Sequence, residues 1–203
     1  PACLGVLGEH NVPELVIAIA QELGTDANVC SAAATTVKQF AAAGCITDTL
    51  APVVMPGLLG ILRAYSSNVI VSKEACTALW HLYRTRSETP TAAVAVAAVS
   101  SDTDEAGSPP ATPHKTAAAA ASSPLAPYVE ETDRLVLAGL NNHCQDARYA
   151  EPAAGCLAEL TQQSAAACQT LVNMNGISLL LSLLQHLRGQ MCIKNLCFYR
   201  HRQ

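Results

Sequence analysis

Apolar residues between positions 55 and 85 recur at helical spacing and predict two helices joined by a polar break. In the first helix they form one broad face: Leu58, Leu59, Ile61, Leu62 and Tyr65. Pro56 suits a first helical turn, because the amide hydrogen that proline lacks has no intrahelical partner there. The break at 66–68 is polar, and Ser67 or Asn68 can cap the second helix. A pair this apolar is expected to pack against further helices of the same kind.

Similar patterns along the rest of the chain predict further helices. They are expected at 2–8, 12–23, 29–43, 45–54, 129–140, 151–163, 165–174, 177–188 and 190–203. Gly44 is expected to end the third helix as a C-terminal cap. The helices at 45–54 and 165–174 are predicted to be short, and Pro152 is expected in the first turn of its helix.

One apolar position recurs at a regular interval. Aligning the second helix of each pair makes five residues equivalent: Leu4, Val37, Leu79, Leu157 and Leu196. Each is followed three positions later by an apolar or aromatic residue: Leu7, Phe40, Leu82, Leu160 and Tyr199. The intervals between the five are 33, 42, 78 and 39 residues. A period near 40 residues with two or three helices per unit indicates a helical solenoid.

The longest interval contains a stretch of different composition. Residues 86–127 are rich in Ala, Ser, Thr and Pro and have no sustained amphipathic period. We expect a disordered or weakly ordered low-complexity insertion there. The chain is thus predicted to hold repeats in 1–85, the first of them partial, and further repeats in 128–203.

Two motifs resemble the armadillo repeat family. The run Asn175-Gly176-Ile177-Ser178-Leu179-Leu180-Leu181-Ser182-Leu183-Leu184 is similar to the family's Gly-x-Ile-Pro-x-Leu-Val-x-Leu-Leu element, with Ser178 in place of proline. The run Ala75-Cys76-Thr77-Ala78-Leu79-Trp80-His81-Leu82 is similar to its Ala-x-x-Ala-Leu-x-x-Leu element. HEAT repeats share the period, but the short helices at 45–54 and 165–174 favour armadillo. The resemblance covers about 160 residues and implies an all-α, armadillo-like, right-handed superhelix.

In the armadillo family the third helices line a concave groove that binds extended peptides. The importin-α branch uses a ladder of Asn and Trp, and neither residue type occupies the matching positions here. The Asn position holds Val6, Gln39, His81, Glu159 and Phe198, and the Trp position holds Ala2, Thr35, Thr77, Gly155 and Lys194. The resemblance therefore does not imply binding of nuclear localisation signals. It leaves Gln39, His81 and Glu159, with Trp80 and Phe198, as candidate groove residues, or alternatively as the solvated side of each helix.

Composition narrows the functional class. Half of the residues are hydrophobic, 4% are aromatic and 14% are charged. The net charge of −4 argues against a general nucleic-acid binder, and no apolar run is long enough to span a membrane. Nine cysteines without tight pairs indicate a reduced, intracellular protein, cytoplasmic with cytoskeletal or nuclear sites left open. The chain is expected to be a fragment of a longer protein.

No constellation of residues indicates catalysis or a metal site. His81 has no carboxylate or thiol partner that the sequence nominates. The pairs His143-Cys144 and Cys192 with Cys197 lack the spacing of structural zinc sites. We therefore expect a protein without cofactor or enzymatic activity.

Two functions fit these expectations. The first is a non-catalytic scaffold that presents a helical groove to a protein or peptide partner. The alternative is a structural subunit of a larger assembly, such as a cytoskeletal or ciliary complex.

Overall fold

The computed structural model describes residues 2–87, 123–186 and 188. The regular elements in these residues are all helical, which confirms the all-α class. They are α1 (Ala2–Glu9), α2 (Val12–Glu22), α3 (Ala27–Ala42), α4 (Ala51–Ala64), α5 (Val69–Ser87), a 3₁₀ helix (Ala126–Tyr128), α6 (Val129–Asn142), α7 (Ala147–Gln163), α8 (Ala165–Asn173) and α9 (Gly176–His186). The helix predicted at 190–203, with Phe198, Leu196 and Tyr199, lies outside the described residues.

The helices pack in two layers. In one layer α4 contacts α2 on one side and α6 on the other. In the second layer α5 packs along its length between α3 and α7, and these are the most extensive contacts in the described chain. Three residues of the aligned positions lie at the centre of this second layer and are fully buried or nearly so: Val37, Leu79 and Leu157.

The connection between the two layers is built in the same way three times. Each first helix ends at a C-cap residue of similar backbone conformation, with φ of −100° at Leu23, −112° at Tyr65 and −120° at His143. The N-cap residue of the next helix lies three residues after this C-cap residue. Its backbone N–H donates to the carbonyl oxygen of the C-cap residue, at 3.0 Å in the first connection and 2.9 Å in the other two. The side chain of this N-cap residue then caps the following helix: Asp26, Asn68 and Asp146. The equivalent residues lie 42 and 78 residues apart, the intervals of the aligned apolar positions.

Neighbouring connections are joined by a hydrogen bond from a C-cap side chain. The Tyr65 hydroxyl donates to the Gly24 carbonyl oxygen at 2.7 Å. One connection further on, His143 Nε2 lies 2.8 Å from the Ser66 carbonyl oxygen, and because a carbonyl only accepts, Nε2 carries the proton. Both acceptors directly follow a C-cap, so the two bonds link successive connections in the same manner.

The predicted short helix at 45–54 and the predicted helix start at Pro56 are wrong. Residues 45–50 are not helical, and one continuous helix, α4, begins at Ala51 and runs through position 56, so that Pro56 lies inside it while Pro52 takes the first turn. In a regular helix the amide of residue 56 would donate to the carbonyl of residue 52. Proline has no such hydrogen, and the Tyr128 hydroxyl donates to the Pro52 carbonyl oxygen instead, at 3.2 Å. The second predicted short helix is present as α8.

The predicted start of α7 at Glu151 is also wrong. The Asp146 side chain caps the helix, and the structure places Pro152 inside α7, where it is buried. Gly44 follows the C-cap of α3 with φ of +69°, as predicted for a glycine that ends a helix.

The two ends of the predicted insertion belong to the folded part. Helix α5 continues through Ser87, and Leu125 is fully buried. Both ends are attached to the same short segment, since Arg86 donates to the Thr47 carbonyl at 3.2 Å and Tyr128 to that of Pro52. Residues 88–122 lie outside the described residues.

No single described helix is both long and apolar enough to cross a bilayer, although the bent pair α8 and α9 together has the required length and composition.

Candidate functional site

The candidate site is the side of the second layer that faces away from the core, called here the α3–α5–α7 face. On α5 its residues are not buried and recur at helical spacing: Ile70, Lys73, Glu74, Thr77, Trp80, His81 and Arg84. The residues 42 positions earlier on α3 are likewise not buried, nor are most of those 78 positions later on α7. The three helices therefore contribute to one continuous surface.

The predicted groove residues Gln39, His81 and Glu159 occupy the same position of their helices. Each lies thirteen residues after the cap of its helix, counted from Asp26, Asn68 and Asp146 respectively. Gln39 is exposed, and His81 and Glu159 are half-buried. Because α5 packs between α3 and α7, the three side chains form one row across the face.

Trp80 lies between α5 and α7 rather than fully in solvent. A β-carbon built on Gly155 would lie 2.5 Å from Trp80 Cε2, so the indole occupies space that only a glycine leaves. The Trp80 and His81 rings stack with centroids 5.6 Å apart and an interplanar angle of 18°. Trp80 thus fixes the contact between two helices and keeps part of its ring at the surface.

An ion-pair cluster lies beside the row, between α3 and α5. Glu74 accepts from Lys38, and its other oxygen is 3.0 Å from Lys73 Nζ. The Thr35 hydroxyl also donates to Glu74, at 3.4 Å. Burial alone would raise the pKa of Glu74, but the hydrogen bonds from the two lysines outweigh it and hold that pKa below its usual range.

The surroundings of His81 favour the uncharged form of its imidazole. Its partial burial lowers the pKa of the imidazole, and the positive charges of Arg84 and Lys38 lower it further. A neutral imidazole offers one N–H donor and one acceptor, which matches the N–H and C=O groups of a peptide backbone.

Sequence reasoning missed Lys38 and Glu74 as parts of the face, and it placed Gly155 in the groove without its contact with Trp80. Lys38 directly precedes Gln39 as Trp80 precedes His81, so the alignment itself held a signal for Lys38. The contact of Trp80 with Gly155 joins neighbouring helices at different heights, and no spacing along the chain predicts it.

A buried polar cluster lies in the core, away from this face. Asp133 on α6 is 0% exposed, and neither of its carboxylate oxygens has a hydrogen-bond partner. Desolvation by burial raises its pKa to about 6. The thiols of Cys76 and Cys156 are also fully buried, and the pKa of Cys156 is raised, first by its hydrogen bond with Cys76 and then by burial. Because these groups are buried, a substrate cannot reach them, and we propose no catalytic role for them.

The other constellations considered from the sequence also have structural explanations. His143 belongs to the connection described above, where it bonds the Ser66 carbonyl. Among the described residues no group of three or more His, Cys, Asp or Glu side chains is placed to hold a metal ion. Cys192 and Cys197 lie outside that part of the chain.

Comparison with known proteins does not assign a family or a function to this chain. No family model, no protein of curated function and no solved structure matches the chain. The armadillo resemblance therefore stays a prediction from the motifs, and the geometry of the α3–α5–α7 face is the basis for a functional proposal.

Proposed function

We propose that this chain is a non-catalytic, armadillo-like α-solenoid module that binds an extended segment of a partner protein across the α3–α5–α7 face. The observation that supports it is the row of Gln39, His81 and Glu159, each at the same position of three adjacent helices. The solenoid architecture itself is supported by the three equivalent connections and the two bonds that join them.

The chemistry of the row suits a peptide backbone. An extended segment presents alternating N–H and C=O groups, and a row of Gln, His and Glu supplies both donors and acceptors. The indole of Trp80 adds an apolar surface beside the row. Binding of this kind depends on shape and backbone hydrogen bonds and needs no cofactor.

The test is selection of peptides from a phage-displayed random 12-residue library on the immobilised protein. Enriched peptides are then synthesised with a fluorophore, and their dissociation constants are measured by fluorescence anisotropy. We expect the triple substitution Gln39→Ala, His81→Ala and Glu159→Ala to weaken binding at least tenfold, because each change removes a hydrogen-bonding group.

A matched triple variant on the other layer controls for general effects. Glu14→Ala, Gln21→Ala and Asn141→Ala change exposed side chains and remove the same single negative charge. Binding is expected to change less than twofold in this control. Equal binding by both triple variants, or no enrichment of any peptide, would contradict the proposal.

Exposed apolar side chains favour the alternative function, a structural subunit of a larger assembly. They are concentrated on the first and last described helices: Val6, Leu7, Leu15, Ile19 and Leu23 on α1, α2 and its C-cap, and Val172, Met174, Ile177, Leu181 and Leu184 around α8 and α9. In an assembly such surfaces would be covered by neighbouring helices. Sedimentation velocity tests this: Ile177→Lys with Leu181→Lys should reduce self-association if α9 forms such a contact, and leave it unchanged otherwise.

A further inference from the structure

The α3–α5 part of the α3–α5–α7 face is locally basic although the chain as a whole is acidic. This part carries three cations, Lys38, Lys73 and Arg84, against one carboxylate, Glu74. The excess is two positive charges, whereas the chain has a net charge of −4. A face with charge opposite to that of its own protein favours a partner of the complementary sign.

The positive charges are held near the row of candidate residues. Glu74 binds Lys38 across the two helices with one oxygen and its neighbour Lys73 with the other. Lys38 directly precedes Gln39 on α3, and Arg84 lies about one helical turn after His81 on α5, so both cations flank the row. A carboxylate placed there would meet two cations and an imidazole N–H.

The α7 part of the face limits where an acidic group can bind. It carries Glu151 and Glu159, which would repel a second carboxylate, while the cation Arg148 is paired with Asp146 at 2.8 Å. The Trp80 indole lies between this acidic part and the basic part, against Gly155. An apolar side chain therefore fits over Trp80, and the acidic group fits on the α3–α5 side of it.

We propose that the segment bound by this face is acidic, with a carboxylate beside Lys38, His81 and Arg84 and an apolar side chain over Trp80. This inference rests on the proposed function and adds the chemical class of the partner. Binding should weaken as ionic strength increases from 50 to 300 mM, because the attraction between exposed charges is screened.

The test uses the peptides enriched from the random library together with a charge-reversed variant. We expect the enriched peptides to have a more negative mean charge than the unselected library. Arg84→Glu should weaken their binding about tenfold, and the milder Arg84→Gln should weaken it less. Arg134→Glu, an equal charge change on exposed α6 surface, is the matched control and should change binding less than twofold.

Each outcome decides between the inference and the proposed function. Enriched peptides that are neutral or basic, yet lose binding in the Gln39, His81 and Glu159 triple variant, would overturn the acidic class and leave the proposed function standing. Acidic peptides that bind Arg84→Glu as tightly as the wild type would also overturn it. Failure to enrich any peptide that depends on the row would remove both.

Discussion

The hydrogen bond from Tyr128 to the Pro52 carbonyl oxygen is open to a quantitative test. It replaces the bond that Pro56 cannot make, and it comes from a residue 76 positions further along the chain. Removing the hydroxyl by Tyr128→Phe leaves a half-buried helix carbonyl without its donor. We expect this change to lower the free energy of unfolding by about 1.5 kcal/mol, the sum of a lost bond and a partial desolvation cost.

The same substitution should cost less once residue 56 can donate. In Pro56→Ala the new amide hydrogen can bond the Pro52 carbonyl, and because Pro56 is exposed, little packing is lost. In that background we expect Tyr128→Phe to cost about 0.5 kcal/mol. The coupling free energy between the two positions is thus expected to be about 1 kcal/mol.

The assay is urea unfolding at 25 °C followed by circular dichroism at 222 nm, for the four proteins of the double-mutant cycle. Tyr65→Phe is the matched control, since its hydroxyl also donates to a carbonyl, that of Gly24, but has no connection with Pro56. Its cost should be the same with proline or alanine at position 56. If Tyr128→Phe also costs the same in both backgrounds, the proposed replacement of the missing bond is refuted.

Three further predictions concern packing, burial and the insertion. Gly155→Ala should destabilise the protein by about 1–3 kcal/mol, because the new β-carbon overlaps the Trp80 ring. Gly60→Ala should stabilise it by up to about 1 kcal/mol, because a β-carbon there meets no atom within 4 Å. Thermal unfolding of the two variants measures both effects. Burial favours the protonated form of Asp133, so the free energy of unfolding should increase as pH falls through about 6 towards 4, by as much as about 3 kcal/mol. Asp133→Asn should abolish this increase, as measured by urea unfolding at each pH. Replacing 88–122 by an eight-residue Gly-Ser linker should retain the fold and add about 1 kcal/mol from the shorter loop closure, as measured by urea unfolding.

Each of these three has a result that would contradict it. Equal changes in stability for the two glycine variants would show that the Trp80 ring does not exclude a β-carbon at position 155. If the stability of the Asp133→Asn variant depends on pH to the same extent, groups other than Asp133 cause that dependence. Loss of folding after the linker replacement would show that 88–122 contributes packing of its own.

The sequence predicted the helices and their recurrence better than their boundaries. Val37, Leu79 and Leu157 are buried as the alignment requires, because amphipathic spacing is a local property of the chain. The wrong helix starts at Pro56 and Glu151 came from placing a proline in the first turn of a helix. At Pro56 the missing bond is replaced by Tyr128, and such a distant donor leaves no signal in the local pattern.

The candidate site was predictable only in part. The positions of Gln39, His81 and Glu159 followed from the alignment, since the same cap starts each helix. The cluster of Lys38 with Glu74 and the contact of Trp80 with Gly155 depend on how far one helix is displaced along the next. That displacement is set by packing between helices, and hydrophobic periodicity carries no information about it.

The two kinds of connection between helices differ in their tolerance of added sequence. The connections that end at Asp26, Asn68 and Asp146 are short, alike and tied to one another, so extra residues there would break the caps and the bonds between neighbours. The connections that follow α3, α5 and α7 vary from a single residue to a stretch that includes 88–122. A fused tag, reporter or additional domain should therefore be accommodated best after α5, whereas extra residues after α7 would break the cap that Ser164 provides for α8. One edge of the molecule is thus available for growth while the other stays constant.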